Sequence, residues 1–461
     1  MSERPRASAA VLAAIPDAAA QMAWIEQIVG FGVRRPGTPA GQAVAEWCAL
    51  RLAEFGCAVE SHPLTALTSH PGPAVVRAGG AEWHGLSMPF STAGTWRGPL
   101  AELTFGESAA PVAAGHAALA RATFTELPVH LLDPAVLARH DPRGELATHV
   151  HTLPFGPALG KEVDRAVAAG AAALVGIVDA PWDTADYFVP YDGLVRPIQA
   201  AWFDRRAGAA LRAQLAAGVT DVELVTDVVN RDTTDYNVVA TLPGRGDGWV
   251  VVGSHHDAPW ASAVEDASGI AQVLAQAAAW AAVPADARPH NLAFLLTAAH
   301  MSEGAGTRAF LRDWEHRDRI VFGLHLEHVA ARAVPDGAGG LVSSGEPEVR
   351  WWFVSAGDEQ AAWVAHTADA IARHDLDRSI VLPPDVFGPM PPTDGGFYHL
   401  AGIPMVNLLA APMYLFDPAD RPDMIHVESL VPTARAAADL VAVTSGSDPR
   451  CNGACRYMTG S

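Results

Sequence analysis

Imidazole and carboxylate side chains recur in this sequence directly behind runs that read as buried strands. Behind WVVVGS come His255, His256 and Asp257; behind NLAFLLTAA come His300, Met301 and Glu303; behind VFGLHL come Glu327 and His328. Glu265 and Asp266 precede the helical run ASGIAQVLA, and Asp394 falls in PPTDGGFY. In open α/β sheets, ligands bind outside the carboxyl ends of the strands, so side chains on these loops converge. A mixture of imidazole nitrogens and carboxylate oxygens suits a divalent ion of borderline softness. Such an ion can polarise a carbonyl and activate water. Each residue alone has a plainer use. Asp266 can cap the helix that follows it, and a single histidine after a strand can simply fill a loop. The recurrence at three strand ends favours the metal.

The elements that must hold these residues follow from hydrophobic periodicity. AGQAVAEWCALRLAEFG has apolar residues at helical spacing and stops at Gly56, behind the turn-rich RRPGTPAG. YNVVATLPGRGDGWVVVGSHHD gives two strands around a Pro/Gly turn. A helix is expected from Ala267 to about Trp280, a strand in NLAFLLTAA, and a helix from Thr307. Strands follow in IVFGLHLEHVA and GIPMVNLLA, then a last helix from Val427 to about Val443. This alternation indicates an α/β fold, a mostly parallel mixed sheet flanked by helices. From about Pro99 to Asp227 the texture changes. Short β-like runs (VHLLD, ALVGIVDA, DVELV) alternate with alanine-rich helices such as GKEVDRAVAAGAAAL. The expected organisation is a core built from 1–98 and 228–461, with a smaller domain inserted at 99–227.

Composition removes several functions. With 31 basic against 51 acidic residues the net charge is -20, which disfavours nucleic acid and anionic membranes as partners. No apolar run reaches the roughly 20 residues that span a bilayer. No Walker loop, dinucleotide glycine fingerprint or G-x-S-x-G elbow is present. Four cysteines do not make a disulfide scaffold, and Cys451/Cys455 suit a tail disulfide or free thiols better than a metal knuckle. A soluble, cytoplasmic protein is expected.

The ordered motifs resemble a family, the co-catalytic zinc aminopeptidases that include bacterial leucyl aminopeptidase, aminopeptidase S and glutamate carboxypeptidase II. RRPGTPAGQAVAEWCALRLAEFG is similar to the family's opening Arg-x-x-Gly-Ser segment and first helix. NVVATLPG with VVVGSHHDA resembles its Asn-hydrophobic-Gly strand and His-x-Asp motif. EDASGIA resembles Asp-Asn-Ala-Ser-Gly-Val-Ala, TDGGFYHLAGIP resembles Ser-Asp-His-x-x-Phe ending in Gly-Ile-Pro, and DPADRPDMI resembles the last motif. Residues 99–227 look like the protease-associated domain that many members carry.

The resemblance implies His255, Glu265 and Glu327 as metal ligands, with Asp257 orienting His255. Two further ligands of the family are missing. Without gaps, Met301 stands at a ligand Glu, Phe416 stands at the last ligand His, and His300 stands at the general-base Glu. The surviving trio implies one divalent ion, zinc, manganese or iron(II), where the family holds two. His300 is then the candidate proton carrier, or else it only fills the space of a lost base. A gapped alignment would bring Glu303 into the site, and His426 could swing in as a ligand. The expected function is hydrolysis of an amide or peptide-like C–N bond in a specialised small-molecule or peptide-like substrate. A lyase-type metalloenzyme and a catalytically silent binding protein are the alternatives. The inserted domain is expected beside the mouth of the site.

Overall fold

The computed structural model describes residues 6–103, 115–154 and 162–446. Among them, fourteen strands form one mixed sheet. At its centre the strand Trp249–His255 runs parallel to Asn291–Thr297 on one side and to Ile320–Leu326 on the other. Met405–Ala410 extends the parallel run, and Arg350–Ser355 joins it antiparallel. Three strands that carry candidate ligands at or just beyond their carboxyl ends are therefore adjacent and point the same way.

Alternation along these strands feeds a core on each face. Val250 and Val252 pack with Ile25, Ile28, Leu274 and Leu440. Val251 packs on the opposite face with Leu295, Phe310, Trp351 and Tyr398. Period-two alternation with both faces apolar gives the near-continuous hydrophobic run of a central strand. The expected helix after the Glu265 loop is Gly269–Ala281, and nearly all of it is buried. Its alanines let the helices Ala18–Gly30 and Leu430–Val443 approach closely. Its two glutamines tie it to the last helix: Gln272 donates to Leu430 O at 3.2 Å and Gln276 to Ala434 O at 2.7 Å. The first expected helix is Pro39–Glu54, with the Thr38 side chain capping Gly41 N–H and Pro39 in its first turn.

The segment from 99 to 227 is woven into this sheet. Gly94–Leu103, Ala117–Thr123, Ala173–Asp179 and Gln199–Asp204 form a parallel group. The strand Asp221–Leu242 pairs with Gly94–Leu103 at its start and with Asn291–Thr297 at its end, so it crosses the boundary expected near Asp227 without interruption. At the far edge, Ala138–His140 pairs with Ser379–Leu382. One local expectation fails: VHLLD is not a strand, and Val129–Leu132 forms a short 3-10 turn. Pro128 and Pro134 bracket the run and remove ladder donors on both sides. The Cys451/Cys455 pair lies outside the described residues. No described helix is long and apolar enough to cross a membrane.

One glycine behind the candidate site is required by geometry. Gly304 has φ +60°, and a Cβ there would lie 2.4 Å from Asp394 Oδ1 and 2.4 Å from the Phe397 ring. Gly304→Ala is expected to lower stability by roughly 1–3 kcal/mol in urea unfolding, combining left-handed strain with overpacking. An unchanged midpoint would contradict this placement.

Candidate metal centre

The strand ends deliver His255, Glu265, His300, Glu327 and His328 into one buried cluster. Two trios within it, His255/Glu265/His300 and His255/Glu327/His328, have ligand atoms all within 4.8 Å of one another. His255 Nε2 lies 3.6 Å from Glu265 Oε1 and 4.0 Å from Glu327 Oε1, and His300 Nε2 lies 3.7 Å from Glu265 Oε1. These gaps are too long for hydrogen bonds. They are close to the ~3.4 Å edge of a tetrahedron with zinc–ligand bonds of about 2.1 Å. His255 Nε2 and Glu265 Oε1 are buried and have no hydrogen-bond partner. Unpartnered buried polar atoms are rare and costly in native proteins. An ion between these two would satisfy both, so the residues present fit a divalent metal.

Each ligand is held from behind. His255 Nδ1 meets Asp257 O at 2.9 Å, which leaves Nε2 as the free lone pair when Nδ1 carries the proton. The Asp257 carboxylate, expected to orient His255, lies 3.9 Å from Nδ1. It accepts instead from the backbone N–H groups of His300, 3.0 Å, and Met301, 2.9 Å. Its role is to pin the next strand-end loop, and burial pushes its carboxyl up to about 6. Glu265 sits in the irregular turn Val264–Ser268, whose N–H groups at Val264 and Glu265 donate to Asp420 at 2.7 and 2.8 Å. Arg34, from the RRPG loop, is fully buried and donates to the carbonyls of Ser262, 3.0 Å, and Glu265, 3.1 Å. Asp266 Oδ2 lies 3.8 Å from His255 Nε2, at the rim of the cluster. It accepts from Ser254 Oγ and from Gly269 N–H at 3.0 Å, and a Cβ at Gly269 would strike both its oxygens.

His300 faces His255 with ring centroids 4.0 Å apart and planes 10° from parallel. Its Nδ1 contacts Asp394 Oδ1 at 2.8 Å, and Asp394 also accepts from Thr307 Oγ1 at 2.7 Å. Burial disfavours charge on His300, but the Asp394 carboxylate beside it raises its pKa well above the ordinary value. Glu327 meets His325 Nε2 at 2.6 Å. Burial works against the Glu327 carboxylate, while His325, His328 and His300 hold its carboxyl below the usual range.

Four contributors had no assigned role in the sequence. His328 has φ +62°, uncommon for a side chain of its size. In that conformation Nδ1 meets Ala410 O at 2.5 Å and Nε2 meets Glu265 Oε2 at 2.6 Å. Its sequence signal is its position directly after Glu327. His325 is signalled by period-two spacing, which puts it on the face of Glu327. Asp394 was visible as a loop carboxylate, but its pairing with His300 was not. Tyr191 had no signal. Its ring lies 5.6 Å from that of His300 and 5.2 Å from that of Phe416.

The remaining candidates stay out. Glu303 is exposed and pairs with Arg308 at 3.0 Å. His426 bonds Ser429 Oγ at 2.6 Å and belongs to neither trio. His256 Nε2 meets the Tyr236 carbonyl at 2.9 Å. Met301 and Phe416 are buried.

Comparison with known proteins agrees with this geometry. Residues 237–441 match the model of Peptidase family M28. No curated protein matches the sequence. Among solved structures, the aminopeptidase of Aneurinibacillus sp. strain AM-1 is 17% identical, with 95% of this chain and 96% of that chain covered and a TM-score of 0.63. The zinc aminopeptidase of Bacillus subtilis is 16% identical, with 94% and 96% covered and a TM-score of 0.64. A Peptidase M28 precursor from Shewanella amazonensis is 17% identical, with 93% of each chain covered and a TM-score of 0.68. The resemblance read from the motifs and the expected α/β fold are borne out, and the matches support a metal-dependent, peptidase-like hydrolase.

The Asp394–His300 contact predicts a titration shift. Asp394 raises the pKa of His300, so Asp394→Asn must lower it. In metal-free protein followed by histidine NMR, His300 should lose its proton at lower pH in the variant than in the wild type. Equal titration would show that another group charges His300.

Proposed function

From an M28 peptidase match over residues 237–441, carried on a zinc-aminopeptidase fold, we propose that this chain hydrolyses an amide or peptide-like C–N bond with one divalent ion at the His255 cluster. His255, Glu265 and Glu327 would hold it, zinc being the best match to one imidazole and two carboxylates on this fold. The observation that carries the proposal is the pair of buried, unpartnered atoms His255 Nε2 and Glu265 Oε1, 3.6 Å apart. A binding protein that had lost its chemistry would have no need to keep them. A bound ion supplies a Lewis acid for the carbonyl and lowers the pKa of water.

The chain's own residues then handle position and proton. Asp394 orients His300 through Nδ1 and leaves Nε2 facing the cluster at Glu265. A bound cation at Glu265 would oppose the charge that Asp394 favours on His300; the neutral imidazole can then take a proton from water at Nε2 and return it to the departing amine nitrogen, so the amide and one water become an acid and an amine. Asp257 anchors the His300 backbone and keeps the imidazole at the strand end. Tyr191 and Phe416 close the side where a second ion would have its own ligands, and they present aromatic surface there. This favours a specialised amide with an apolar group over a free peptide N-terminus. Tyr191 belongs to residues 99–227, so this segment, proposed as a protease-associated-like domain, contributes to the substrate wall. Buried free thiols at Cys48 and Cys57 suit a reducing, cytoplasmic setting.

Two measurements test the proposal. After zinc reconstitution, elemental analysis of His255→Ala or Glu265→Ala should find one ion per chain fewer than in the wild type. A loss of two contradicts the single-ion cluster, and no loss contradicts the metal reading. On a panel of chromogenic amides and peptides, His300→Ala should keep its metal while turnover falls roughly 10²–10⁴-fold. If His300→Ala sheds the ion, His300 is a ligand. If turnover is unchanged, the proton moves through another group.

A further inference from the structure

We propose that His149, His151 and Glu348 form a second divalent-metal site, separate from the His255 cluster, that fastens the segment Val129–Leu153 to the catalytic half. Ligand atoms of the three side chains lie within 4.8 Å of one another. His151 lies in the strand Val150–Leu153 and His149 just before it, with ring centroids 6.1 Å apart. Glu348 comes from the turn between the strands Leu341–Pro347 and Arg350–Ser355. Three ligands from two parts of the chain would thus be joined through one ion.

The cluster is built rather than incidental. His151 and Glu348 side chains are 1% and 7% exposed. His151 Nδ1 lies 3.4 Å from Glu348 Oε1, and its Nε2 is buried with no hydrogen-bond partner. Glu348 is fixed at both ends: its N–H donates to Ala330 O at 3.0 Å, and Oε1 accepts from Val349 N–H at 2.9 Å. The His151 ring is wedged against Trp351 at a centroid distance of 5.3 Å. Two imidazoles and one carboxylate are a known three-ligand set for zinc and leave a fourth position for water. Calcium and magnesium prefer all-oxygen sites, so the class of ion is a borderline transition metal.

Two cations act on His149, Arg378 and Arg332. Arg378 Nη2 is 3.3 Å from His149 Nδ1 and 3.4 Å from His149 Nε2. The Arg378 charge is offset by Glu145, 2.9 Å from Nη1. An ion at the site would replace Arg378 as the partner of one His149 nitrogen.

The test counts zinc per chain by elemental analysis after reconstitution and exhaustive dialysis, in the wild type, His255→Ala, His151→Ala and the double variant. The expected result is two, one, one and none. If His151→Ala keeps the wild-type count, the second site is overturned, whatever becomes of the catalytic ion. If His255→Ala alone removes every ion, it is overturned equally. His149→Asn, at a half-buried position, is the second variant should His151→Ala fail to fold, and its expected count is also one. In His255→Ala, added zinc should raise the melting temperature. The double variant should show no such rise, and a rise of the same size there would contradict the site.

Discussion

Two buried ligand atoms, His255 Nε2 and Glu265 Oε1, face each other across 3.6 Å with nothing between them to share a hydrogen bond. In a low-dielectric interior a carboxylate oxygen left in this state is unfavourable unless a cation or a donor compensates it. Much of the surrounding architecture works to keep the two atoms there. The parallel strands aim their carboxyl ends at one point. Arg34 holds the Glu265 turn by its carbonyls while Asp420 holds it by its N–H groups. Gly269 leaves room for the Asp266 carboxylate beside Ser254. A fold that only needed stability would pack apolar side chains at these positions.

The same logic separates the two kinds of histidine in the cluster. His255 is fixed through a backbone carbonyl, which sets its tautomer without adding charge. His300 is fixed through a carboxylate, which stabilises its protonated form. An imidazole backed by a carbonyl is suited to ligate, and one backed by a carboxylate is suited to accept and release a proton. The stacked rings bring these two roles side by side. The Tyr191 ring lies beside that of His300, 5.6 Å between centroids.

Much of this was legible in the sequence because it is carried by local signals. The apolar runs ending at His255 and Leu326 mark central strands, and the residues just past them had to share one edge of the sheet. Glu265 was singled out as a ligand only through the resemblance of EDASGIA to the family motif. The Asp257 role was not legible, because the choice between its carbonyl and its carboxylate as the partner of His255 depends on a turn geometry that no periodicity encodes. Asp394 and His300 are 94 residues apart, and their contact is set by the packing of two loops. The left-handed backbone at His328 likewise leaves no trace in composition. Both ends of the strand Asp221–Leu242 were read, as DVELV and YNVVATL, whereas its middle and its partner Ala58–Ala78 were hidden by mixed polarity.

The most direct test of the central claim is a crystal structure of the zinc-reconstituted protein with an anomalous difference map at the zinc edge. The account predicts a peak between His255 and Glu265, within about 2.0–2.2 Å of His255 Nε2 and a Glu265 oxygen. Glu327 should have swung from His325 to complete the trio, and no second peak should lie beside Met301 and Phe416. A cluster without a peak, with His255 Nε2 hydrogen-bonded to a rearranged Glu265, would contradict it.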